Sequence, residues 1–185
     1  MRVWLVGGRR GVIWPWKMYT FKYYEYRLQL YQSIGRLPYN IVMLLTVHAL
    51  TGVTLGTVVE NEIILAPAAF GSHLLLDSVP HFGLDGLDFR TPKGFIVGCL
   101  DFAGALGVLG ISIAIAPERF AHIFIGWLGA TLPDLFYIPE VFFKVKVFPK
   151  FKSFHHRIQW SESPLGTIVD ITWGLTMVLI LHSRI

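Results

Sequence analysis

The chain has 185 residues, of which 54% are hydrophobic and 15% charged, and its mean hydropathy is +0.55. That composition excludes an ordinary water-soluble domain, in which about a quarter of the residues are charged. The single cysteine, Cys99, excludes an internal disulfide and, in its apolar run, reads as a packing residue. The net charge of +4 is local, because the first forty residues hold seven Lys and Arg against one acidic residue and the remainder hold nine against eleven.

The leader, residues 1–40, interleaves those basic residues with Trp, Tyr and Phe. It lacks the small-residue cleavage site of a secretory signal. Aromatic and basic residues together suit a cytoplasmic segment lying at a membrane interface, where amphipathic rings and cations meet headgroups, better than nucleic-acid binding, and no nucleic-acid partner is expected. Met43, just before the first membrane-like segment, is an alternative start that would leave this leader outside the native chain.

From residue 41 onward, five apolar stretches approach the roughly 20 residues that cross a bilayer: 41–59, 63–79, 94–116, 120–138 and 165–182. The links ENE, at 60–62, and PER, at 117–119, are long enough only for tight turns, so two antiparallel hairpins are predicted. The links 80–93 and 139–164 are longer. The expected fold is all-α, a polytopic membrane bundle of about five transmembrane helices over 41–185.

Orientation follows from Lys and Arg, which are retained on the cytoplasmic side. The leader is basic, and the 139–164 link carries Lys144, Lys146, Lys150, Lys152 and Arg157. A cytoplasmic N-terminus in a bacterial inner membrane is predicted, with both long links cytoplasmic and Arg119 as the exception.

This topology gathers the polar residues at one end. His48 opens the first stretch, His73 and Asp77 close the second, His81 and Asp85 follow Pro80, Asp134 closes the fourth, and His155 and His156 lie in the second long link. His73 and Asp77 are spaced i, i+4, so both project from one helical face. Pro80 interrupts the helix there, so His81 is expected to reach back from a turn. His48, Gly52 and Gly56 form one stripe and Gly126, Ala130 and Asp134 another, both narrow enough for close helix packing.

An ionisable residue in hydrocarbon costs about 2.5–3.5 kcal/mol on insertion scales, so such residues pair with something. Taken singly, each histidine reads as an interhelical hydrogen-bonder and each aspartate as a helix cap. Taken together, His73, Asp77, His81 and Asp134 lack basic partners within the spans and read as ligands for a divalent cation, zinc first and manganese or iron as alternatives. Asp101 and Asp170 are either partners of ligating histidines or buried contacts between helices. Asp85 and Asp88 are better read as turn residues than as ligands, and His122 and His182 stand outside the site.

The motifs HALTGVTLG, SHLLLDSVPH, GATLPDL and FHHRIQW, in that order over about residues 43–170, resemble the bacterial family of membrane-bound metal-dependent hydrolases. The resemblance implies a polar site of His48, His73, Asp77, His81, Asp134 and one or both of His155 and His156. Leu135 after LPD, and Gln159 where a further histidine would stand, depart from the family pattern and weigh against a two-metal centre. Hydrolysis at the cytoplasmic face would use Asp134 or His156 as general base or acid, on membrane lipid or a lipid-linked or phosphoester substrate. No G-x-S-x-G nucleophile or phosphate-binding glycine loop is present. The rival class is a non-catalytic metal-binding scaffold or a small transporter subunit, and neither the substrate nor the oligomeric state is legible.

Overall fold

The computed structural model describes residues 44–82, 91–159 and 166–184. The basic leader, Met43, Asp85 and Asp88 lie outside the described residues. Among the described residues every regular element is a helix. The first hairpin is α1 (Leu45–Val58) and α2 (Glu62–Ser78); the second is α3 (Pro92–Ile115) and α4 (Phe120–Leu135), joined through a 3-10 turn at Pro117–Arg119. Two short helices, α5 (Ile138–Phe143) and α6 (Pro149–Ile158), precede α7 (Gly166–His182).

Helices therefore occupy all five apolar stretches, but the five-span expectation is met only in part. Two segments, Pro92–Ile115 and Pro117–Glu140, are long and apolar enough to cross a membrane. With 14 residues in α1 and 17 each in α2 and α7, their rises of about 21–26 Å fall short of a hydrocarbon core of about 30 Å. The 139–164 link is also more than a connector, because it contains α5 and α6. Pro139 and Pro149 sit in the first turns of these helices, where the missing N–H has no intrahelical acceptor to lose.

The central helix, α1, is held at both ends by other helices. Its N-cap residue, Leu44, has no capping side chain. Asp101 of α3 takes that role, accepting from Leu45 N at 2.6 Å, Thr46 N at 3.1 Å and Thr46 Oγ1 at 2.7 Å. At the other end Arg119 donates from Nη1 to the Thr57 carbonyl at 3.0 Å. Thr51 and Thr54 return their hydroxyls to the carbonyls four residues back, so they bury in a helix without an orphaned group.

The core lies where α1 meets α3 and α4, with Ala49, Val53, Ala105, Ile123 and Trp127 buried together. Trp127 donates from Nε1 to the Ala105 carbonyl at 2.9 Å, and Trp173 of α7 donates to Thr51 Oγ1 at 2.9 Å. Both small-residue stripes are used as expected. A Cβ on Gly52 would overlap the Gly126 carbonyl and stand 2.7 Å from Ala130 Cβ. Backbone therefore meets backbone along α1 and α4, and His48 and Asp134 are carried to the same end.

Candidate metal centre

Four helices contribute to one buried cluster. α1 supplies His48 and α2 supplies His73 and Asp77 one turn apart; Asp134 comes from the last turn of α4 and His155 from α6. The short links of the hairpins bring the start of α1, the end of α2 and the end of α4 to one level. His48, His73, Asp77 and His155 have no exposed surface, while the Asp134 side chain keeps 12%.

His73 lies at the centre. Its Nδ1 is 2.7 Å from the Ala130 carbonyl, and since a carbonyl only accepts, His73 donates from Nδ1 and turns Nε2 into the cluster, where the neutral ring would offer a lone pair. That nitrogen is 3.0 Å from His155 Nε2, 3.2 Å from Asp77 Oδ2 and 3.7 Å from Asp134 Oδ1. A tetrahedral cation with bonds of about 2.0–2.2 Å holds its ligand atoms roughly 3.3–3.6 Å apart, so the spacing suits one ion. His155 Nε2 also meets Asp77 Oδ2 directly. His48 Nε2 stands 3.3 Å from the other oxygen, Asp77 Oδ1.

Two overlapping groups thus have the proximity a metal ion requires: His48, His73 and Asp77, and His73, Asp134 and His155. Among the described residues no lysine or arginine pairs with these carboxylates; Lys152 is engaged by Glu140 and Arg119 by Glu60. Asp134 Oδ1 is buried without a hydrogen bond. Imidazole nitrogens and carboxylate oxygens meet in a buried volume, an arrangement that a divalent cation stabilises.

The expected residues divide. His48, His73, Asp77, Asp134 and His155 converge. His81 is buried, but its ring binds the Val79 carbonyl through Nδ1 at 2.9 Å and it belongs to neither group. His156 is half-buried, edge-on to the Tyr137 ring at 5.9 Å, and also belongs to neither. Asp101 acts as the cap of α1, and Asp170 accepts Phe82 N at 3.0 Å. His122 sits beside Glu60 and Glu62, away from the cluster.

Two neighbours were not assigned to the site by the sequence. Tyr137 Oη is 3.1 Å from His155 Nδ1 and fixes the ring whose other nitrogen enters the cluster. Gln159 donates from Nε2 to Asp77 Oδ2 at 3.3 Å and so serves the site through the aspartate. Below them Lys152 binds Glu140 and lies 4.3 Å from the centre of the Tyr137 ring, fixing α6 against the start of α5. Nothing in the sequence marks Tyr137, and Gln159 is marked only as standing where a further histidine would be, because each acts across a turn of chain whose helical phase is set by packing.

No family model, curated protein or solved structure matches this chain.

Proposed function

We propose that the chain is an integral membrane, metal-dependent hydrolase, with its cation held among His73, His155, Asp77 and Asp134 beside His48. One observation carries this: imidazole nitrogens and carboxylate oxygens from α1, α2, α4 and α6 converge with no cationic side chain between them. A divalent ion, zinc, manganese or iron, would supply Lewis acidity and an acidified water at such a site. The residues of the chain do the rest. Ala130 and Tyr137 orient the ligating rings, Gln159 steadies Asp77, and the buried wall of α1 excludes water. Asp134, the member of the cluster with exposed surface, is placed to take a proton from a group arriving from outside.

The membrane setting rests on the outer surface of the helices. Leu100 and Ile111 of α3 and Leu175 and Leu179 of α7 are each more than 60% exposed, which favours contact with lipid tails over water. Lys144 and Lys146 are exposed on the segment that leads into α6 and Lys150 in its first turn, the helix that brings His155 to the level of the cluster. Basic residues at that level support a site at the cytoplasmic face of a bacterial inner membrane, with the N-terminus on the same side and the remaining helices as spans. A site at that boundary suits a membrane lipid or another amphipathic ester or phosphoester. It also conforms to the resemblance carried by SHLLLDSVPH and GATLPDL.

The test is elemental analysis of the full chain purified in detergent, followed by assay on phosphodiester and ester lipids. Metal-dependent turnover abolished by Asp134→Ala is expected. The complete burial of four cluster residues favours a second reading, a non-catalytic metal scaffold, and bound metal with no turnover on the lipid panel would establish it. A transporter subunit is disfavoured, because transporters place their ligands near the midplane.

A further inference from the structure

The outer surface of the two short helices carries side chains that the proposed chemistry does not use. Phe142 and Phe143, which end α5, are 58% and 73% exposed, Phe148 is 58% exposed where α6 begins, and Phe154 is 48% exposed on α6 itself. Lys144, Lys146, Lys150 and Arg157 are exposed among these rings. Among the described residues no carboxylate pairs with any of the four cations. Glu140, the one acidic residue between positions 140 and 159, is taken by Lys152.

α6 is inside out compared with a helix on a water-soluble surface, which buries its apolar stripe. Its buried residues are Lys152 and His155, with Gln159 just beyond its end, while Phe154 and Arg157 face outward. The two segments long enough to cross a membrane fix the level of this surface: one begins at Pro92 and the other ends at Glu140. Phe95, in the first turn of α3, lies edge-on to Phe142 with ring centroids 6.3 Å apart. Phe136, near the end of the other segment, lies 5.0 Å from Phe148. Exposed rings interleaved with lysines at the ends of spans match the membrane–water boundary, where rings sit at headgroup depth and cations meet phosphate.

We propose that residues 142–157 form a docking surface for the anionic phospholipid headgroups of the adjoining leaflet. The four phenylalanines enter the boundary between headgroups and acyl chains, and Lys144, Lys146, Lys150 and Arg157 meet the phosphates. Charge complementarity selects this occupant, because four unpaired cations with no free carboxylate between them repel a neutral or basic partner and attract a negative surface. The inference rests on the membrane setting proposed above and not on the cation. It also bears on the cluster, since the helix held at the leaflet is the one that carries His155.

The test uses the full chain in nanodiscs without added metal, made of phosphatidylcholine alone or of phosphatidylcholine mixed with phosphatidylglycerol, and follows amide hydrogen exchange in peptides covering 142–158. Exchange there is expected to slow about five-fold or more in the anionic discs, the preference that one cation near such a surface supplies, while α7 exchanges alike in both. The slowing is expected to fade at high salt, which screens exposed charges, and to be lost when Lys144→Gln, Lys146→Gln and Lys150→Gln are combined. Equal exchange in the two lipids, slowing shared by α7, or slowing that survives high salt or the triple variant would overturn the proposal. Slowing already present in neutral detergent and growing with protein concentration would assign the surface to a second copy of the chain and overturn it as well. A chain that enters neither disc removes the membrane setting and this surface together, whereas loss of the metal site leaves the exchange result standing. Should the triple variant fail to fold, the salt dependence of the wild type decides the matter.

Discussion

Replacing Asp77 by asparagine separates a cation site from a buried network of proton-sharing pairs. The carboxylate has no exposed surface, lies 3.3 Å from His48 and 3.2 Å from His73, touches His155 and accepts from Gln159 at 3.3 Å. If protonated histidines were its partners, removing its charge would leave a buried cation unpaired and cost about 3–5 kcal/mol, with or without metal. If the histidines are neutral ligands, the amide matches the carboxylate in shape and little is lost until metal is added. At free metal about 100-fold above Kd, binding stabilises the wild type by about 2.7 kcal/mol. At roughly 2–4 °C per kcal/mol for a chain of this size, Tm rises by about 5–11 °C. The expected outcome is that Asp77→Asn abolishes this rise and leaves Tm in chelator within a few degrees of wild type. Scanning fluorimetry of the detergent-purified chain, with chelator and with Zn2+ or Mn2+, measures both. An equal loss of Tm in both conditions, or a wild-type Tm that metal does not move, would refute the cation reading.

Tyr137→Phe removes the hydroxyl that orients His155 and is expected to weaken metal affinity about 10–100-fold, measured by competition with a chromophoric chelator, with little change in Tm in chelator. Asp101→Ala deprives the start of α1 of its cap and is expected to lower stability by about 1–3 kcal/mol without changing metal content at saturation, a split that elemental analysis and melting resolve. Gly126→Val places side-chain atoms against the Gly52 carbon at 3.0 Å and the Gly56 nitrogen at 3.2 Å. It is expected to cost about 1–3 kcal/mol by forcing α1 from α4, and to reduce metal retention because His48 and Asp134 ride on those helices. His122→Ala, far from the cluster, should leave metal content unchanged.

Although α5 and α6, inside the 139–164 link, were not legible in the amino-acid order, the helices over the five apolar stretches, the two hairpins and the gathering of polar residues at one end were. Each is a local property: apolar runs, links of three residues, and an i, i+4 pair whose facing is set by the helical repeat. The stripes through Gly52 and Gly126 were legible for the same reason, since a run of small residues every fourth position allows close approach of whatever helix comes. What folding added depends on helical phase and on residues far apart in the chain. His155 and His156 are adjacent on α6, about 100° apart around its axis. Which of them enters the cluster is settled by the packing of Tyr137 and of Lys152 on Glu140, and the inward ring meets a carboxylate 78 positions away. Asp101 shows the same limit, because an aspartate in the middle of an apolar helix carries no mark that it will cap the start of another. Composition sets how costly an unpaired buried charge is; the partner that removes the cost is selected by three-dimensional proximity.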